Sequence, residues 1–432
     1  MRTLKVIPLE PEHCIKEKLL QWSTQFREVV WLDSNNHQQQ YSNYDAVLAV
    51  DAFTMIQTDA FEAFDQLKDY QAHTKDWLFG YLSYDLKNDT ENLKSQNFDG
   101  LNFPELYFFQ PKKVFLLKEN TIELHYLNVV DDELEYDYND IIQQKISTAQ
   151  TPNTENSVKI KLRMTKDNYF EKFQTIHDHI LRGDIYEVNF CQEFYAENTA
   201  ITPLNVYQNL NTISNTPFAT FLKLDDKYVL SASPERYLRK NGTKIVSQPI
   251  KGTAKRSKNA ENDAQLKYHL EHDIKERSEN IMIVDLVRND LSKTAIKGSV
   301  KVPELCKVYS FDQVHQMIST VTSEVEHTKS PVEIIRTTYP MGSMTGAPKV
   351  SAMKIIEQLE TTKRSLYSGA VGYFTPDNDF DFNVIIRSIL YNETNQYVSY
   401  SVGGAITAKA NAEAEYQECL IKAKAMREAL LS

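Results

Sequence analysis

Strand-like and helix-like segments follow one another in this chain without the strict alternation that a parallel sheet demands, and that order narrows the fold more than any other feature. Short strand-like runs at Ala46–Val50, Trp77–Tyr84, Lys113–Leu117 and Ile122–Leu127 are separated by polar stretches. The segment Ser147–Ser157, STAQTPNTENS, is dense in Ser, Thr, Asn and Pro and reads as a linker between parts spanning 1–150 and 158–432. Beyond it, Lys166–Arg182 sets Tyr169, Phe173, Ile176 and Ile180 on one helical face, with Gly183 as its stop. Helices are also predicted over Asp263–Asp290, with Leu266, Leu270, Ile274 and Ile281 inward, and over Pro331–Thr338, Val350–Leu359 and Ala412–Leu431. Strands are predicted at Val188–Tyr195, Phe218–Lys223, Tyr228–Ser231, Ala370–Tyr373, Phe382–Tyr391 and Tyr397–Val402. This mixture argues for an α+β fold rather than a doubly wound sheet.

Composition excludes several classes. With 41% hydrophobic and 25% charged residues, the 432-residue chain is an ordinary globular mix that can bury a large core without disulfides. A formal charge of −11 argues against nucleic-acid or anionic-membrane partners, which demand a cationic face. The N-terminus shows no apolar signal region, and no apolar run approaches the ~20 residues of a membrane span. Cys14, Cys191, Cys306 and Cys419 form no CxxC pair and read as free thiols in a reducing cytoplasm. Only 12 glycines occur, nine of them after residue 240, so special backbone is expected in the second half.

Several groups of residues carry chemistry. His272, Glu276 and Glu279 fall at i, i+4, i+7, and Glu415, Glu418 and Lys422 at i, i+3, i+7, each set on one helical face. Such carboxylates could meet around a hard cation such as Mg²⁺, or could form solvated acidic faces, the commoner outcome for this spacing alone. Lys251, in SQPIKGTAKR, sits at an apolar strand end, where desolvation would lower its pKa and free a nucleophilic amine. Glu235, in SASPER, could act as a general acid or base. The glycines of PMGSMTGAPKV, around Ser343, suit an anion held by backbone N–H groups, although the spacing is not that of a Walker loop. Arg387, inside the apolar run NVIIRSIL, suits either carboxylate recognition or a structural ion pair. The glycines of VGGA, Val402–Ala405, could face a carboxylate as well. His315, polar among apolar neighbours, is a weaker candidate.

Together GDIYEVN, SPER, PIKGT, KERSENIMIVDLVRND, GSMTGAPK, SGAVGYF, VIIRS and EAEYQECLIKA, in this order, resemble the chorismate-utilising enzyme family over roughly residues 160–432. The N-terminal third matches more faintly through WLDSN and FGYLSYDL. The resemblance implies an anthranilate-synthase-like composite α+β fold: two packed β-sheets in a sandwich surrounded by helices. It implies Mg²⁺ held by Glu279 and Glu418, with Glu276 and Glu415 beside them, gripping the ring carboxylate of chorismate. Arg387, Tyr367 and the backbone of Gly403 would hold the enolpyruvyl carboxylate, Lys422 would add positive charge, and Ser343 and His315 would line the substrate site. In relatives the N-terminal part can hold tryptophan.

Position 251 separates the family's branches. Anthranilate-forming members resemble each other in having PIAGT, whereas the aminodeoxychorismate-forming branch carries PIKGT, as here, and Ser where the others have Thr at 343. In that branch the lysine adds to C2 as the 4-hydroxyl leaves, protonated by the residue matching Glu235. Ammonia then attacks C4 and expels the lysine. Glu187 stands where water-using members have a lysine base and ammonia-using ones usually have Gln; Ala405 is a second departure, where relatives often have Gly. None of the four cysteines is flanked by glycine, so no fused glutaminase is expected. The resemblance then implies a separate glutamine amidotransferase subunit, or free ammonia. The alternatives are an anthranilate-forming enzyme and, in another class, a non-catalytic binder of tryptophan or chorismate.

Overall fold

The computed structural model describes residues 1–10, 14–37, 40–145, 158–311 and 314–432. The Ser147–Ser157 linker lies outside the described residues.

Alternation of side chains on the strands dictates two cores. In the strand Glu28–Asp33, Val30 joins one core while Val29 and Trp31 join another; Leu222 and Phe221 divide in the same way. This period of two is what a sheet covered on both faces requires. The pairing is antiparallel throughout the named strands and runs in two series that diverge from the long strand Leu106–Lys118.

The first series passes from Leu106–Lys118 through Ala46–Thr58, Glu28–Asp33, Phe218–Leu224, Lys227–Ser233, Ser388–Asn392 and Tyr397–Thr407 to Glu187–Ala196. The second passes through Leu78–Leu82, Ala370–Phe374, Phe380–Val384, Arg236–Asn241 and Lys244–Gln248 to Val314–Glu324. That last strand also pairs with Ile250–Lys255 and Lys301–Ser310. Leu222, Val229 and Leu390 of one series face Tyr81, Val371, Leu238 and Val321 of the other, filling a sandwich. Helices Ile15–Ser23, Pro203–Ser214 and Ala412–Leu431 cover the outer face of the first series. The α+β sandwich expected from the sequence is the fold observed. No helix among the described residues is long and apolar enough to cross a membrane.

At two adjacent places the chain passes directly from a strand of one series into a strand of the other. Pro234 and Glu235 connect Lys227–Ser233 to Arg236–Asn241, and Ile385–Arg387 connect Phe380–Val384 to Ser388–Asn392. The crossings are tied by backbone bonds, Val384 N–H to Glu235 O at 3.0 Å and Ala232 N–H to Arg387 O at 3.2 Å.

Two expectations are corrected. The pattern over Asp263–Asp290 forms two helices, Ala260–His272 and Ile274–Ser292, broken at Asp273, whose side chain caps the second by accepting from Glu276 N–H at 2.9 Å. Of its four inward residues only Leu270 is buried; Leu266, Ile274 and Ile281 are exposed. The break rotates the second helix, so a single period drawn across both fails. The run Phe382–Tyr391 likewise splits, and Arg387 lies in the break with φ 50°.

Behind the cleft, Arg364 is buried against Glu360 at 2.6 and 2.9 Å and donates to Met344 O and Asn189 O, both at 2.7 Å. It ties the Gly342–Ala347 segment to the strand Glu187–Ala196. Arg364→Ala leaves Glu360 buried without its cation and is expected to cost about 3–5 kcal/mol, read as a lower urea midpoint at unchanged slope.

Candidate active site

Lys251 opens the site because its strand is irregular. The register of Ile250–Lys255 against Val314–Glu324 shifts between Ile250 and Thr253. A bulge re-aims a side chain, and here Gly252 takes φ +86°, where a Cβ would stand 3.0 Å from Glu276 Oε2. Glycine therefore lets the strand end lie against the helix Ile274–Ser292. Lys251 Nζ donates to Glu187 Oε1 at 3.1 Å.

The expectation that burial would leave Lys251 with a lowered pKa is overturned. Burial does push it down, but the charges of Glu187, Glu279 and Glu235 outweigh that and hold it above the ordinary lysine value.

Glu235 lies in the first crossing and is buried. Desolvation pushes its carboxyl up to about 7, against the pull of Ser343, Lys251, the Ile250 backbone and Arg387. A carboxyl poised there can donate a proton near neutral pH. Arg387, in the second crossing, makes no salt bridge with a carboxylate among the described residues. Burial lowers its pKa, and Glu235 is its sole acidic influence. Its positive φ is uncommon for a non-glycine residue and aims it from the crossing rather than along a strand. An unpaired guanidinium of this kind suits a ligand carboxylate.

The two glutamate-bearing helices do converge. Lys275 Nζ sits 3.0 Å from Glu415 Oε1 and 3.8 Å from Glu279 Oε1, bridging one helix to the other. Glu279 Oε1 is buried with no hydrogen-bond partner. Burial raises Glu279 to about 7 and pushes Glu276 and Glu415 up. Burial also acts on Glu418, but Lys422 beside it, 2.7 Å away, brings its carboxyl below the usual value. A Cβ on Gly404 would lie 3.1 Å from Glu415 Oε2, so the second VGGA glycine keeps this space open. Among the described residues no three acidic, histidine or cysteine side chains are arranged to hold a metal ion. The carboxylates are all oxygen donors and one oxygen is orphaned, which suits a hard cation completed by water, whereas the Lys275 ammonium is a competing positive charge between the two helices.

The remaining candidates take varied places. Ser343 is buried beside Glu235. Tyr367 is buried with its hydroxyl 3.8 Å from Cys191 Sγ. Lys422 donates to Gly403 O at 2.8 Å, and a Cβ on Gly403 would meet Cys191 Sγ at 2.5 Å. His315 has both ring nitrogens engaged, with Ser310 Oγ at 2.9 Å and Asp263 Oδ1 at 3.1 Å. His272 belongs to the preceding helix and stacks on Tyr268, so it does not share the face of Glu276 and Glu279. Lys349 is taken up by Asp290 and Thr338 O rather than by an anion site. All four cysteines are free. Sequence reasoning missed Lys275. Its i, i+4 relation to Glu279 was visible in KERSE, but its contact with Glu415 crosses between distant helices and leaves no local trace.

A family model described as chorismate binding enzyme matches residues 27–428. The chain is 39% identical over 259 residues to aminodeoxychorismate synthase component 1 of Escherichia coli (strain K12), covering 60% of this chain and 56% of that protein. It is 32% identical over 362 residues to the protein of that name from Bacillus subtilis (strain 168), covering 81% and 76%. The chain thus spans about half the length of several curated relatives it matches. The crystal structure of anthranilate synthase component I from Streptococcus pneumoniae TIGR4 superposes with a TM-score of 0.76 at 25% identity, covering 91% of this chain and 95% of that one. With nearly its whole length inside the family model and its sandwich shared with that structure, the chain belongs to the chorismate binding enzyme family.

Proposed function

We propose that this protein aminates chorismate to 4-amino-4-deoxychorismate, using ammonia from a separate glutamine amidotransferase subunit in a reducing cytoplasm. The observation that carries the reading is Lys251: an amine on a bulged strand end, among buried carboxylates, facing the acid Glu235. The relatives named aminodeoxychorismate synthase component 1 support it, and the word component in their name supports a partner.

In this reading Arg387 binds the enolpyruvyl carboxylate, with Tyr367 and the Gly403 backbone beside it. Glu235, whose carboxyl burial raises to about 7, gives its proton to the 4-hydroxyl as that group leaves. Lys251 adds to C2 in the same displacement, so the covalent step splits one difficult substitution into two. Ammonia then adds at C4 and the lysine departs. Glu279 and Glu418, with Glu276 and Glu415 near them, would hold Mg²⁺, which when bound supplies positive charge to the ring carboxylate. Lys422 adds to that charge while bound to Gly403 O.

Purified protein given chorismate, Mg²⁺ and an ammonium salt is expected to form aminodeoxychorismate, detected as 4-aminobenzoate after addition of the lyase. Fluorescent anthranilate as the product would replace this reading with that of the tryptophan branch. Binding without turnover would replace it with that of a sensor.

A further inference from the structure

Lys251 must shed a proton before it can add to a ring carbon, and in the free site its amine is ion-paired with Glu187 at 3.1 Å. We propose that Glu187 is the proton acceptor for Lys251: it holds the ammonium in the resting site, takes its proton when substrate is bound, and returns it when the lysine leaves. This rests on the reading above that Lys251 adds to the substrate.

Glu187 is fixed by the backbone on both sides. It begins the strand Glu187–Ala196 and is paired on both sides, with Thr407 and with Ala347. Gly346 makes the second pairing possible, since a Cβ there would stand 2.2 Å from Glu187 O. The residue is 1% exposed, and while Oε1 takes Lys251 at 3.1 Å, Oε2 is buried without any hydrogen-bond partner.

The other groups facing Lys251 have other work in this reading. Glu235, from the sheet crossing, serves the departing hydroxyl. Glu276 and Glu279 face it from the helix Ile274–Ser292 and Glu418 from the terminal helix, all on the cation side. Only Glu187 is in salt-bridge contact with the amine among the described residues. A glutamine at 187 could accept the same hydrogen bond but could not receive the proton.

The protons balance through the cycle. Lys251 ammonium gives one proton to Glu187. The neutral amine forms the N–C2 bond as the C4–O bond breaks, and Glu235 protonates the leaving hydroxyl to water. Ammonia forms the C4–N bond as the C2–N bond breaks, and the lysine departs as a neutral amine. The new C4 ammonium returns a proton to Glu235, and Glu187 returns its own to Lys251. Chorismate and ammonia have become aminodeoxychorismate and water.

The test compares wild type, Glu187→Gln and Glu187→Asp in the full chain. For Glu187→Gln the expected result is a kcat lower by about 10²-fold at neutral pH, with KM for chorismate unchanged. Its rate should climb with pH on the acid side of neutrality, where wild type is level, and Glu187→Asp should recover part of the loss. Independently of turnover, the pH at which half of Lys251 reacts with acetic anhydride, read by peptide mass spectrometry, should fall in Glu187→Gln because the counter-charge is gone. An unchanged kcat and pH profile in Glu187→Gln overturns the role. So does an equal loss at every pH with the labelling curve unmoved, which is what a merely structural residue would give. A wild type that forms no aminodeoxychorismate sinks the underlying reading, and this role with it.

Discussion

Lys251→Ala is expected to abolish aminodeoxychorismate formation, with kcat lower by at least about 10³-fold, as for loss of a covalent nucleophile. The loss should be the same at every ammonium concentration, because the missing step precedes the attack of ammonia. Truncation also leaves Glu187 buried without its partner. A second variant therefore separates chemistry from folding: Lys251→Arg keeps a cation for Glu187 but offers no amine that can be deprotonated. Lys251→Arg should unfold near the wild-type temperature and still be inactive. Chorismate turnover surviving in either variant, followed by chromatography of the product, would remove the covalent step.

Glu235→Gln should have the next largest effect, about 10²–10⁴-fold in kcat, the usual range for a positioned acid. The pH dependence carries more information than the size. The carboxyl donates only when protonated, and burial sets its midpoint at about 7. Wild-type kcat should therefore be at its full value on the acid side of that midpoint and decline as pH rises through it. Glu235→Gln should lose this alkaline limb while keeping KM for chorismate. A wild-type rate that rises through neutrality would mean that Glu235 acts as a base, and the assignment of acid and nucleophile would have to be exchanged.

Legibility in the sequence tracked how local each determinant is. Helices such as Lys166–Arg182, Pro331–Thr338 and Ala412–Leu431 were readable because the apolar period and the stop signals lie within the segment. The long Asp263–Asp290 pattern misled because Asp273 caps a new helix, and a capping side chain is indistinguishable from any other aspartate until the backbone turns. Arg387 looked like a strand residue because its neighbours are apolar on both sides, yet those apolar runs belong to different sheets. Lys251 and Glu235 stood out as candidates from their own segments, whereas the ion pair that Lys251 makes did not. That depends on Glu187, 64 residues away in sequence and 3.1 Å away in space.

The paired crossings have a further consequence. Glu235 and Arg387 occupy two spans where neighbouring strands of one sheet pass together into the other, and a backbone bond ties each span to the strand beside it. The spacing between acid and guanidinium is thus gauged by how far apart the two sheets stand, much as a caliper is set by its jaws. Interior residues such as Val229, Leu238 and Leu390 fill the space between those sheets. Trimming them by one methylene should detune turnover before it noticeably loosens the fold, so variation in the filling of the sandwich offers a way to adjust the catalyst without altering any group that meets the substrate.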